Sequence, residues 1–356
     1  MSRIASVCPA LPENVYAQDE ITATIAPLLT GEGTPERRTL ERMHAASGVA
    51  SRHLALPLDR YPGLRAFGTA NDAFLEVGTA LAARATKEAL DAAGIRPDEV
   101  DLLLFTTVTG VSAPSLDALL APQVGLRPDV RRTPMFGLGC AAGAAGLGQA
   151  HDYLAGHPEH VVLLVSVELC SLTIQHGDDS TANLVSSGLF GDGATAVVLV
   201  GDSRPAPAHA PRVLGTASHL YPDTTGMLGW DVGGTGFAIV LGAGLAGVVE
   251  THLGPDVRGL LARHDLGVDD VDVWLAHPGG PRILEASAHS LGLDPARLDV
   301  SRRVLAREGN VSSSAVLHVL AEAAPDAPPG AVGVLFAFGP GVCGESVLLR
   351  WPEGAA

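Results

Sequence analysis

Short apolar runs, each closed by glycine or a polar residue and followed by a helical pattern, recur along this chain of 356 residues. Strands that apolar are buried on both faces, which requires helices above and below them and so an α/β architecture. The runs Leu102–Thr107, Val161–Val167, Ala194–Val200, Val273–Ala276, Val332–Phe338 and Ser346–Trp351 read as strands. The segments Asn71–Ala93, Cys140–Leu154, Ala246–His264 and Val311–Ala323 carry apolar residues at three- and four-residue spacing and read as helices. The proline-rich stretch Gly201–Pro211 reads as a linker, dividing the chain into halves 1–205 and 206–356. Both halves share the same strand-then-helix grammar, as an old duplication would leave them.

At 47% hydrophobic and 17% charged residues, the chain can bury a large core. A net charge of −16 argues against nucleic acid or an anionic membrane surface as the main partner. Cys8, Cys140, Cys170 and Cys343 form no CxxC pair and no metal-ligand spacing, which points to a reduced, cytoplasmic protein without a metal. The N-terminal run Met1–Pro9 lacks the apolar core of a signal peptide. The longest uncharged apolar stretch, Gly233–Val249, is too short and too glycine-rich to span a bilayer.

The run Met135-Phe-Gly-Leu-Gly-Cys-Ala-Ala-Gly-Ala-Ala-Gly146 places Cys140 between a short apolar segment and a small-residue helix. At such a junction the unpaired N–H groups and the positive dipole end favour thiolate, and the small flanking residues let a bulky substrate approach. In Val271–Arg282 an apolar strand delivers His277 at its carboxyl end, before Pro278 and two glycines break it. Asn310 follows Gly309 and opens a helix. A buried structural cysteine, a loop histidine and a plain helix cap are the bland alternatives. Three reactive residue types at three junctions instead suggest one site, since α/β folds build sites at strand carboxyl ends. Cysteine, histidine and an amide suit thiol hydrolysis. They suit equally a decarboxylative condensation, in which the last two donate to an enolate oxygen. The absence of a protease-type Cys-Gly-Ser-Cys-Trp segment favours condensation.

Taken in order, Gly137-Leu-Gly-Cys-Ala-Ala-Gly143, Gly188-Leu-Phe-Gly-Asp-Gly-Ala194, Ala276-His-Pro-Gly-Gly-Pro281, Gly309-Asn-Val-Ser-Ser313 and Phe338-Gly-Pro-Gly341 resemble the type III polyketide synthases, the chalcone and stilbene synthase family. The resemblance covers nearly the whole chain. It implies a thiolase-like fold of two duplicated α/β halves in five αβαβα layers, a homodimer, and a triad of Cys140, His277 and Asn310. It also implies gatekeepers at Phe190 and Phe237 and a chamber-shaping loop at Gly339 and Pro340. Acyl-CoA starter and malonyl-CoA extender (or methylmalonyl-CoA) are then substrates, and no resident cofactor is implied.

Departures from the plant pattern are informative. The basic cluster that meets CoA phosphates keeps only Arg42, so Arg37, Arg38, Arg52 or Arg282 must replace the rest. The methionine that reaches into the neighbouring subunit's chamber is Ala113. Chamber positions carry Val108, Cys170, a retained Thr173, Leu228 and Gly229, while Ser312 and Thr173 lie where cyclisation is decided. Ser166-Val-Glu-Leu-Cys-Ser-Leu-Thr173 resembles the bacterial branch that primes with fatty acyl groups and makes alkylresorcinols or alkylpyrones. That is the expected activity. A malonyl-primed tetrahydroxynaphthalene synthase is the alternative, disfavoured because that subfamily often has cysteine at Val108. A ketoacyl-carrier-protein synthase fits less well, because it usually shows His-Gln-Ala-Asn where this chain has His277-Pro-Gly-Gly.

Overall fold

The computed structural model describes residues 1–354. Strands β1 (Ser2–Ala10), β2 (Asn14–Ala17), β3 (Ser51–Leu54), β4 (Leu102–Thr106), β5 (Arg131–Met135), β6 (Val161–Leu169) and β7 (Asp192–Gly201) belong to the N-terminal half. Its helices are α1 (Gln18–Leu29), α2 (Pro35–Ala45), α3 (Phe67–Ala93), α4 (Leu116–Gln123), α5 (Ala142–Gly156) and α6 (Thr181–Leu189). The C-terminal half contributes β8 (Arg212–Leu220), β9 (Leu228–Gly233), β10 (Gly236–Leu241), β11 (Val273–Ala276), β12 (Val332–Gly339) and β13 (Cys343–Arg350). Its helices are α7 (Leu245–Ala262), α8 (Pro281–Leu291), α9 (Asp299–Glu308) and α10 (Ser312–Ala323).

Nine strands hydrogen-bond in the order β11-β12-β13-β8-β1-β7-β6-β4-β5. The ribbon narrows where β1 meets β8 through Ser2↔Val213 and Arg3↔Arg212. Either side of that seam the plan is the same. In the N-terminal half β4 and β6 are parallel, then β7 and β1 follow antiparallel. In the C-terminal half β11 and β12 are parallel, then β13 and β8 follow antiparallel. Only β5, parallel to β4, has no counterpart among the described residues. Matching strand order and sense are what a duplication leaves after the side chains have diverged.

Alternation along each strand separates the cores. Leu103 and Phe105 face one apolar cluster while Leu102 and Leu104 face another. The outer cluster packs β4, β6 and β7 against α3, and a third packs β11–β13 against α7 and α8. Between the two sheets lie α5 and α10. Helix α10 is buried without interruption from Ser312 to Leu320, as a helix with no solvent face must be. The layers are therefore helix, sheet, helix pair, sheet, helix.

A buried hydrogen bond pins the turn from α9 into α10, where Glu308 Oε2 accepts from His318 Nδ1 at 2.6 Å. Burial alone would raise the Glu308 carboxyl, but His318 and then Arg307 outweigh it and hold the group near about 2. The ordinary value is 4.5, so the stabilisation is complete above that pH and is lost as pH falls through about 2. Glu308→Gln is expected to lower the unfolding free energy at pH 7 by about 3 kcal/mol. The gap to the parent should narrow steadily below pH 4.5, as urea titrations would show. An equal gap at every pH would exclude this role.

Candidate active site

Cys140 sits in a tight turn, Gly139–Ala141, that leads straight into α5. Gly139 has φ +51, and a Cβ there would lie 2.4 Å from Pro340 Cδ. Only glycine therefore allows the loop after β12 to close over the turn. Gly339 packs from the same side against the Leu138 carbonyl and Ala141. The strand that ends in Gly339 is thus locked to the cysteine turn.

His277 lies one strand away, just beyond β11, with its backbone N–H bonded to Phe336 of β12 at 2.9 Å. It is buried, and its Nδ1 has no partner. Asn310 is not at a strand end, contrary to expectation. It occupies the turn between α9 and α10, where it forms an isolated parallel bridge with Phe190. Its Oδ1 accepts from the Ser312 N–H at 2.9 Å, which leaves the amide nitrogen as the donor towards the site. Ser312 itself has φ +45, a costly conformation for a residue with a side chain. Its Oγ lies 3.6 Å from Cys140 Sγ. Cysteine, serine and asparagine therefore converge where the N-termini of α5 and α10 meet.

Burial works against either charge alone in this site. It pushes the Cys140 thiol up to about 12, with hydrogen bonding from Ser312 and Asn310 opposing it and the Glu168 carboxylate adding to it. The depressed thiol expected from the helix terminus is therefore not what the isolated group shows. Burial likewise takes His277 down to about 3, so its imidazole rests neutral. Both groups therefore rest neutral.

Glu168 was missed by sequence reasoning. It closes the apolar strand β6 and is fully buried. It accepts from Val108 N at 3.1 Å, Thr109 Oγ1 at 2.9 Å and the Ser313 hydroxyl. Burial raises its carboxyl to about 7 despite those bonds. One acid inside a run as apolar as Val161–Leu169 was the available signal.

Phe237 is buried on β10 and ringed by aromatics: Phe67 edge-on at 5.3 Å, Trp230 at 6.1 Å and Phe136 at 6.2 Å. Phe190 caps α6 and lines a cavity of about 10 Å³ with Cys170, Thr173, Trp230 and Arg52. Thr173 donates to the Cys170 carbonyl at 2.8 Å, and burial holds the Cys170 thiol well above its usual range. Leu228 starts β9, and Gly229 beside it comes within reach of Pro340. The side chain of Val108 is buried.

Residues 2–203 match the N-terminal domain of chalcone and stilbene synthases, and residues 213–351 match their C-terminal domain. The chain belongs to this family. It is a type III polyketide synthase, an acyltransferase with the thiolase-like fold. It is 53% identical to 1,3,6,8-tetrahydroxynaphthalene synthase of Streptomyces peucetius subsp. caesius, over 98% of this chain and 93% of that protein. To the alpha-pyrone synthesis polyketide synthase-like Pks18 of Mycobacterium tuberculosis it is 33% identical, over 97% and 90%. The crystal structure of 1,3,6,8-tetrahydroxynaphthalene synthase from Streptomyces coelicolor A3(2) superposes with a TM-score of 0.92 at 29% identity, covering 99% and 100% of the two chains.

Of the arginines considered for this polyketide synthase's CoA phosphates, Arg52 drops out as a surface contact because it is 1% exposed. Arg37 and Arg38 bond back to Thr30 and Gly33. Arg42 and Arg282 are exposed, and Gly48, three residues beyond α2, packs on Pro281 at the start of α8. No helix among the described residues is long and apolar enough to cross a membrane.

Proposed function

We propose that this synthase is primed by malonyl-CoA and builds a tetrahydroxynaphthalene-type aromatic product wholly from malonyl units. The observation that carries this is the 53% identity to a tetrahydroxynaphthalene synthase, against 33% to the pyrone-type relative. It reverses the order of the sequence expectation, which put a fatty acyl starter first. Val108 does not argue against it, since that residue meets Glu168 through its backbone and buries its side chain. Trp230, passed over in the sequence beside Leu228 and Gly229, also supports it. A bulky ring beside Phe190 and Cys170 occupies space that a long alkyl chain would need. Each methylene contributes about 0.8 kcal/mol only where apolar room receives it.

In the reaction, His277 takes the Cys140 proton and the sulfur attacks the thioester carbonyl of malonyl-CoA, releasing CoA. A second malonyl-CoA places its thioester oxygen between His277 and the Asn310 amide. The bond to its carboxylate breaks, CO₂ leaves, and the electron pair is held as an enolate by those donors. The enolate carbon then attacks the Cys140 thioester, forming the new carbon–carbon bond and freeing the sulfur. The extended chain returns to Cys140 until it cyclises. Phe190 and Phe237 screen the chamber from water, and Arg42 and Arg282 meet the CoA phosphates at its mouth. CoA thioesters are substrates here, with no resident cofactor required. A second copy of the chain would cover the sheet edge at β5, where Arg131–Pro134 are exposed beside Phe136, and extend the sheet across a twofold axis.

Incubation with malonyl-CoA alone, and again with long-chain acyl-CoA present, followed by mass spectrometry, tests this reading. An aromatic product from malonyl-CoA alone is expected. Products whose mass tracks the added acyl chain would return the enzyme to the alkylpyrone reading. Free acid without dependence on malonyl-CoA would point to a hydrolase.

A further inference from the structure

Arg52 is among the largest fully buried side chains of the chain. A buried guanidinium is costly unless its donors are matched. Its Nε donates to Gln18 Oε1 at 3.1 Å and its Nη1 to the Phe190 backbone carbonyl at 2.7 Å. Its Nη2 has no partner, and the side chain lines the cavity that Phe190, Cys170 and Trp230 share. No carboxylate lies within ion-pair distance among the described residues. Burial lowers the group to about 10, opposed chiefly by the Asp192 charge.

The aliphatic stem of Arg52 lies against the other half of the site. Gly309 has φ +73, and a Cβ there would come within 3.0 Å of Arg52 Cδ and 2.8 Å of the Leu189 carbonyl oxygen. The surrounding segment is tied in both directions. Ala50 N–H and Ser51 Oγ donate to the carbonyls of Ala306 and Arg307 at the end of α9, at 2.7 and 2.9 Å. Ala55 N–H donates to Asp192 Oδ2 at 2.6 Å, two residues beyond Phe190. Phe190 and Asn310 are joined to each other through Gly191 N to Asn310 O at 3.0 Å and Asn310 N to Leu189 O at 2.8 Å.

We propose that Arg52, wedged between the Phe190 carbonyl and the Gly309–Asn310 turn, is a positioning residue that holds the gate and the enolate-binding amide in one register. It rests on the roles given above to Phe190 and Asn310. A lysine would keep the charge, but its three N–H groups radiate from one nitrogen and cannot replace donors at the separate positions of Nε and Nη1 while its stem supports Gly309. A shift of about 1 Å in a group aimed at the reacting oxygen can cost about 10²-fold in rate.

The test measures malonyl-CoA decarboxylation (kcat and KM separately) and acyl loading of Cys140 by intact mass, in the parent, Arg52→Ala and Arg52→Lys. In Arg52→Ala, kcat is expected to fall about 10²-fold while loading persists. Guanidinium ion at sub-denaturing concentration should restore part of it by refilling the vacated space. Arg52→Lys should fall about tenfold, which decides the matter if the alanine variant does not fold. A folded lysine variant with the parent's kcat overturns the proposal. So does guanidinium that raises the Tm of Arg52→Ala without raising kcat. A parent enzyme that releases no CO₂ from malonyl-CoA removes the assigned chemistry of Asn310, and this proposal with it.

Discussion

Cys140→Ala is expected to stop product formation, lowering it by about 10³-fold or more, while slow decarboxylation of malonyl-CoA continues. On the proposed mechanism the sulfur carries the growing chain, so its loss ends condensation whatever the state of the other residues. On the same mechanism decarboxylation asks only for donors at the enolate oxygen, and the variant keeps His277 and Asn310. The fold should barely notice. Cys140 keeps partial exposure, and the contact it loses is a 3.6 Å approach to Ser312. Removing a single sulfur from such a position costs about 1 kcal/mol. Intact-mass spectra after incubation with malonyl-CoA should show an adduct on the parent and none on the variant. An adduct or aromatic product from the variant would place the nucleophile elsewhere, with Cys170 the first residue to examine.

How far the site was legible in sequence varied with the kind of residue. Strands β4, β6, β11 and β12 were readable because both faces are apolar, and a run buried on both faces leaves an unbroken signal. Strands β1 and β8 were not. Their burial is mixed, with Arg3, Ser6 and His219 interrupting the pattern, since they form the seam between the two sheets. The β9–β10 hairpin was missed for a related reason, because glycines and exposed residues weaken its period. Cys140 and His277 stood out because glycine and proline punctuate the chain just where each is presented. Asn310 was found but misplaced, because a helix-to-helix turn and a strand-to-helix turn share the same Gly-Asn punctuation. Arg52 stood out only as a candidate for the CoA phosphates, and Glu168 not as a site residue at all. Their surroundings come from burial and from partners more than a hundred residues away, such as Ser313 and Phe190, and the single acid in an apolar run is the one local trace of them.

Asn310→Ala is expected to depress malonyl-CoA decarboxylation by about 10²–10³-fold, the usual effect of losing one oxyanion donor. Two losses combine in that variant. The enolate oxygen forfeits a donor, and the Ser312 N–H forfeits the acceptor that holds it at 2.9 Å in a strained conformation. Asn310→Asp separates them. Its carboxylate can still accept from Ser312, so the turn into α10 keeps its brace. It offers no donor, however, and sets a negative charge against the one that develops. Decarboxylation should therefore fall at least as far in the aspartate variant as in the alanine variant, with thermal stability closer to the parent. Acyl loading of Cys140 should survive in both, because that step does not pass through the enolate. Parent-like release of CO₂ from either variant would remove Asn310 from the chemistry. An aspartate variant that recovers both stability and rate would reduce Asn310 to a turn residue that braces Ser312.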